Sequence, residues 1–285
     1  MSTSKLTLTI SCPDRVGLVA QVSQFLAQHQ ISIVEANHHT DLETNWFFMR
    51  HEVLLDESIY PVEQFKSDFA QVADKIEMDW DITPKSQKNR VILLASKESH
   101  CLTDILHRWH EHELDCEIVA IIANHQTMAK FADWYQLPFH HIDFKKNKVQ
   151  AFAELEKVID DYQVNTIVLA RFMQIFPASL CDKYQHQVIN IHHSFLPSFV
   201  GAKPYHQAYD RGVKLIGATC HYVTTDLDAG PIIEQEISRI SHSDSVEDMV
   251  LKGKECEKQA LARGLKYHLE HRVMVQGNKT VVFDN

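Results

Sequence analysis

The sequence predicts two α/β domains in series: a small βαββαβ sandwich at the N-terminus, then a larger doubly wound, mostly parallel sheet. Three features carry this expectation. Residues 5–12 alternate apolar and polar with a period of two and turn into an amphipathic helix. Beyond residue 90 the strand-like segments become continuous apolar runs, at 91–95 and 118–123, of the kind buried on both faces of a parallel sheet. Between the two patterns lies Pro84-Lys85-Ser86-Gln87-Lys88-Asn89, short, polar and without a large apolar side chain, which marks the boundary.

The elements follow in order. After the strand at 5–12, Pro13-Asp14-Arg15-Val16-Gly17 turns the chain into a helix ending near His29. Strands are predicted near 31–39 and 46–55. A second helix over 61–76 carries Val62, Phe65, Phe69, Val72 and Ile76 on one stripe, and a short strand follows at 77–83. This order is that of a ferredoxin-like sandwich. We therefore expect a first domain at 1–84, a linker at 85–89 and a second domain at 90–285. In the second domain the runs at 91–95, 118–123 and 166–170 alternate with helical stretches, which predicts a parallel sheet. A further strand ends at Val188-Ile189-Asn190-Ile191-His192, followed by a loop through Pro197 and Gly201. Strands at 216–223 and 232–240 flank a turn at 227–231. A long helix over 246–270 starts behind the cap candidates Ser243 and Ser245, and a hairpin of 272–275 against 280–283 closes the chain.

At 285 residues with 45% hydrophobic content, the chain can bury two cores. A net charge of -10 gives no electrostatic footprint for nucleic acid or an anionic membrane, so a small-molecule partner is expected. No signal peptide is legible and no apolar run approaches the roughly 20 residues that span a bilayer. Six scattered cysteines without a CxxC pair suggest neither disulfides nor a zinc site, which fits a reducing cytoplasm. Nineteen histidines raise the question of a metal, but no HExxH or clustered ligand spacing occurs. The pairs His107/His110 and His268/His271 are read as solvated helix faces, and no metal is expected.

In an open α/β sheet ligands bind beyond the carboxyl ends of the strands, where Asn190 and His192 stand. Their i, i+2 spacing puts both side chains on one face. An amide donor beside an imidazole suits attack on a carbonyl: the amide can stabilise an oxyanion while the histidine moves a proton. The same pair could instead cap the strand end and fill the core. If the strand continues, His193 points to the opposite face, as a packing or hydrogen-bonding residue. Asp228 lies in the turn Thr225-Asp226-Leu227-Asp228-Ala229-Gly230-Pro231. It can stabilise that turn, or orient a water and hold His192 protonated. Spacing leaves both readings open.

The ordered set Asn190-Ile-His-His-Ser-Phe-Leu-Pro197, Gly201, Gly217-Ala-Thr-Cys-His221 and Leu227-Asp-Ala-Gly-Pro231, with Leu169-Ala-Arg-Phe-Met-Gln174, resembles the signature of the formyltetrahydrofolate-using transferases and hydrolases. The resemblance implies that Asn190, His192 and Asp228 form the catalytic set. It further implies that Met173, Gln174, Phe176, Thr225, Asp226 and Leu227 line a folate pocket. Glycinamide-ribonucleotide transformylases of that family carry a glycine-rich phosphate loop after their first strand. Here the position reads Ser96-Lys97-Glu98-Ser99-His100-Cys101, without glycine and with a glutamate, so water is the expected nucleophile. The N-terminal unit resembles an ACT domain, which implies a small amino-acid effector near Asp14 and Gly17 and a homo-oligomer paired edge to edge. A helix N-cap and a tight turn explain Asp14 and Gly17 equally well. Over nearly the full chain, the order of ACT domain, linker and formyl-handling domain resembles that of formyltetrahydrofolate deformylases. That implies hydrolysis of 10-formyltetrahydrofolate to formate and tetrahydrofolate, supply of formate for purine synthesis, and no cofactor.

Overall fold

The computed structural model describes residues 3–198 and 204–284, so Gly201 lies outside the described residues. The chain divides into two compact units, Met1–Lys88 with His271–Gln276 and Val281–Asn285, and Asn89–Glu270 with Gly277–Thr280. The expected second domain ran to residue 285, whereas most of the final stretch groups with the first unit. Within that unit Thr44 Oγ1 donates to Gln276 Oε1 at 3.1 Å, and Arg272 Nε donates to the Phe283 carbonyl.

In the first unit β1 (Thr3–Pro13), α1 (Leu18–Gln28), β2 (Ser32–Asp41), β3 (Trp46–Asp56), α2 (Val62–Asp74) and β4 (Asp79–Pro84) form an antiparallel sheet of order β2-β3-β1-β4. The alternation legible in β1 directs Leu6, Leu8, Ile10 and Cys12 into one core with Val22 and Phe25 of α1 and Phe65 and Phe69 of α2. Phe25 meets the two α2 rings edge-on at 5.5 and 5.2 Å, and each such pair adds about 0.5–1.5 kcal/mol beyond its buried area.

The second unit runs β5 (Asn89–Ala95), α3 (His100–His110), β6 (Cys116–Ala123), α4 (Ala129–Tyr135), β7 (Phe139–His141), α5 (Lys148–Asp161), β8 (Thr166–Ala170), α6 (Ala178–Lys183), β9 (Val188–His192), α7 (Pro204–Arg211), β10 (Leu215–Tyr222), β11 (Ile232–Arg239) and α8 (Val246–Leu269). The chain closes with the hairpin β12 (Val273–Gln276) and β13 (Lys279–Val282). The seven-stranded sheet has the order β11-β10-β9-β8-β5-β6-β7. β5 to β9 are parallel, while β10 runs antiparallel to both β9 and β11. The chain leaves β5 toward β6 and β7, then returns to the other side of β5 as β8. The order therefore reverses between β5 and β8, where sheets of this type open a ligand crevice.

β7 was not expected, because its three residues Phe139, His140 and His141 present no apolar run. At α8 the cap expectation resolves in favour of Ser245, whose side chain accepts from Asp248 N while Asp248 reaches back to Ser245 N. His107 and His110 are exposed on α3. The reading of His268 as solvated is corrected: its ring bonds Thr166 Oγ1 at 3.1 Å and Tyr222 Oη at 2.9 Å. Buried hydroxyls needed partners, and this imidazole serves two of them. All six cysteines are buried and free. Among the described residues no helix is long and apolar enough to cross a membrane.

Candidate active site

Asn190 and His192 occupy the last turn-facing positions of β9, and the antiparallel ladder sets their surroundings. Asn190 pairs with His221 of β10, and His192 with Thr219. The register thus places an imidazole directly across from the Asn190 amide, with Nδ2 3.1 Å from His221 Nε2. His221 Nδ1 lies 2.9 Å from the Tyr222 carbonyl. A carbonyl can only accept, so Nδ1 carries the proton and Nε2 offers a lone pair. That assignment makes the Asn190 amine the donor toward His221, with its second N–H left over. Burial, slightly offset by the Tyr222 carbonyl and Asp228, lowers the His221 pKa and keeps this ring neutral.

His192 is buried, with Nδ1 3.3 Å from Asp228 Oδ2. Its Nε2 has no protein partner. A carboxylate at Nδ1 fixes the tautomer and leaves Nε2 as the reactive nitrogen. Asp228 reaches this position from the β10–β11 connection, its own backbone in the left-handed region at φ +54°. The tight entry and exit of that connection require Gly230, because a Cβ there would lie 1.9 Å from the Tyr222 carbonyl oxygen. The hydrogen bond from His192, opposed by burial and aided by the charge of His192, holds the Asp228 carboxyl below its ordinary pKa. Asp228 is accordingly an anion at neutral pH.

These three residues line one cavity of about 540 Å³ together with Met173, Gln174, Phe176, Thr225, Asp226 and Leu227. All nine residues singled out in this part of the sequence therefore meet in one place. Phe176 is a buried wall, while Met173 and Leu227 are 59% and 63% exposed at the mouth. Such apolar side chains at a rim gain contact area when a flat aromatic ligand enters.

Three further residues line the cavity. His193 was to face away only if the strand continued, and β9 ends at His192, where the alternation stops. The His193 ring stacks on His192 at 5.0 Å and lines the same cavity. Burial, reinforced by Arg171 and His192, takes its pKa down to about 4. His221 appeared in the sequence only within a motif. Arg171, just past β8, is a non-glycine residue at φ +63° that points into the cavity wall. Residues held in this region cost about 1–3 kcal/mol and cluster at functional sites.

The segment after β5 is tied to the segment after β8 and to α8. Ser96 Oγ accepts from Met173 N at 2.9 Å, and Glu98 pairs with Lys254 at 2.8 Å. In the first unit, Gly17 adopts φ +96° and its carbonyl accepts from Gln21 N at 3.0 Å, so it makes the turn into α1. Asp14 N donates to the Asn45 carbonyl at 2.8 Å.

Comparison with known proteins gives a consistent picture. Residues 89–265 match the formyl transferase family and residues 6–73 the ACT domain family. A formyltetrahydrofolate deformylase of Synechocystis is 45% identical over 279 residues, 97% of this chain and 98% of the relative. The crystal structure of a formyltetrahydrofolate deformylase from Pseudomonas syringae superposes with a TM-score of 0.95 at 57% identity, covering 98% of this chain and 94% of that one. A glycinamide ribonucleotide transformylase from Symbiobacterium toebii matches 69% of this chain and 95% of its own, with a TM-score of 0.66 and 25% identity.

Proposed function

Since the chain belongs to the formyl transferase family and to its formyltetrahydrofolate deformylases, we infer that it is a hydrolase that cleaves the C–N bond of 10-formyltetrahydrofolate, giving formate and tetrahydrofolate. The observation that carries the mechanism is His192, locked by Asp228 at Nδ1 and unpartnered at Nε2, beside the spare N–H of Asn190.

The folate enters along Met173, Gln174, Phe176, Thr225, Asp226 and Leu227, with the formyl group toward the β9 end. Asp228 orients the attacking water and takes up the proton that it loses on attack. As water adds to the formyl carbon, the carbonyl oxygen becomes an oxyanion that Asn190 Nδ2 stabilises; such a donor is worth about 2.7–4 kcal/mol. His192, oriented by Asp228 at Nδ1, delivers a proton from Nε2 to the leaving nitrogen, and the C–N bond breaks. Formate and tetrahydrofolate leave, and the proton lost by water restores His192. No step calls for a metal or a redox cofactor.

The setting is cytoplasmic in this reading, and the formate released feeds purine synthesis. The first unit binds a small amino acid at the Asp14–Gly17 turn and adjusts turnover. Edge strand β2, with Ile33 and Val34 exposed, supports pairing of two copies into a homo-oligomer. Measuring formate and tetrahydrofolate in equal amounts without any amine present tests the activity. Dependence of turnover on an added amine contradicts it.

A further inference from the structure

The carboxyl ends of β5 and β8 flank the point where a sheet of this order receives a ligand. In this chain side chains from α3, α7, α8 and the segment after β8 converge beside it. Glu257, on the buried stripe of α8 and 1% exposed, is their centre. His100 Nε2, from the start of α3, lies 2.7 Å from Glu257 Oε2. Arg171 Nε stands 3.3 Å from the same oxygen. Tyr205 Oη of α7 donates to Glu257 Oε1 at 3.0 Å.

Tyr205 fits only because α8 carries Gly253, where a Cβ would fall 2.0 Å from the tyrosine oxygen. Burial works against ionisation of Glu257, yet His100 and Arg171 outweigh it and hold the carboxyl below its ordinary pKa. The cluster is thus a buried carboxylate hydrogen-bonded by His100 and Tyr205 and faced by the Arg171 guanidinium, an arrangement that disfavours opening it. A second ion pair, Glu98 with Lys254, ties the same loop to the same helix. The cluster reaches the reaction centre through Arg171 and His193, both in the cavity wall, with the His193 ring beside His192 and 6.5 Å from that of Tyr205.

His100, Cys101 and Glu257 also bring ligand-type atoms within 4.8 Å of one another. Burial pushes the Cys101 thiol well up in pKa, so it stays protonated, and a guanidinium already lies against the carboxylate. That chemistry fits a closed protein cluster better than a cation site.

We propose that Arg171, His100, Tyr205 and Glu257 are specificity-determining residues that stand beside this ligand crevice and reserve the formyl group for water. The proposal rests on the hydrolase reading and adds how amines are refused. An amine admitted there would attack the formyl carbon, lose a proton and become a formamide, while the folate nitrogen takes up a proton as the C–N bond breaks.

The test supplies 10-formyltetrahydrofolate with rising glycinamide and quantifies formate and N-formylglycinamide together. The parent protein should give formate at every amine concentration. Arg171→Gly suits the left-handed backbone and opens the wall. Its formamide share should rise with amine and exceed the parent's by about tenfold or more, in line with the discrimination a lost pocket contact gives. Arg171→Lys keeps the cation and should retain the parent's product ratio. If Arg171→Gly does not fold, His100→Ala, which opens the half-buried side of the cluster, is read in the same way. A product ratio unchanged from the parent, in a variant still releasing formate, overturns the proposal alone. So does a folded variant yielding neither product, since the cluster would then serve hydrolysis itself. A parent protein that releases no formate without amine overturns both this proposal and the reading beneath it.

Discussion

Asn190 and His221 stand opposite each other across the β9–β10 ladder, the amide nitrogen 3.1 Å from the imidazole Nε2. The Tyr222 carbonyl fixes the tautomer of His221, and the tautomer fixes which end of the Asn190 amide faces it. The orientation of the Asn190 oxyanion donor in the proposed mechanism is therefore set one residue away from the chemistry. His221→Ala should lower kcat by up to about 10², less than the loss of Asn190 itself, with KM nearly unchanged. Steady-state kinetics of both single variants and the double variant check this. Additive losses would contradict it, because residues acting as one unit are non-additive.

Asp228→Asn removes the charge that holds His192, and should reduce kcat by about 10² to 10⁴. The pH dependence has a definite sign. The folded pKa of Asp228 is depressed, so its contribution is fully present above the ordinary aspartate value of about 3.9 and is lost only as pH falls through a lower value. The acid limb of kcat/KM attributable to this carboxylate should lie below that value in the parent and vanish in Asp228→Asn.

The cavity wall and its mouth should separate stability from affinity. Phe176→Ala empties a buried site and should cost about 3 kcal/mol or more of unfolding free energy. Leu227→Ala, at an exposed position, should change stability by no more than about 0.5 kcal/mol. It should instead raise KM roughly tenfold by removing area the folate covers. Thermal denaturation and folate titration of the two variants distinguish the roles.

Gly230→Ala forces a Cβ to within 1.9 Å of the Tyr222 carbonyl, so the turn bearing Asp228 must move. Activity should fall by an amount comparable to Asp228→Asn, since a displacement of about 1 Å can cost 10²-fold. A variant with parental kinetics would show that the turn position is immaterial.

The sequence made the period-two strands and apolar runs legible, and with them the order of elements in both units. The i, i+2 spacing also brought Asn190 and His192 to one face, as the structure has it. What stayed hidden depends on partners chosen in three dimensions. The register that sets His221 against Asn190 depends on the β9–β10 pairing, which no local pattern encodes. The side that His193 faces depends on where β9 ends, because alternation holds only while the strand lasts. Arg171 in a left-handed backbone leaves no trace in composition. Glu257 did leave one: it sits four residues after Gly253 and three before Ala260, on a stripe otherwise apolar or small, and a glutamate there signals a buried partner. The closing hairpin was legible as a hairpin, but not its grouping with the first unit.

The attacking group can be identified directly by running the reaction in oxygen-18 water without any amine. Hydrolysis at the His192–Asp228 site predicts that the parent protein releases formate carrying one labelled oxygen, matched mole for mole by tetrahydrofolate, and that Asp228→Asn nearly abolishes both. Formate without label, or no formate until an amine is added, would contradict the account.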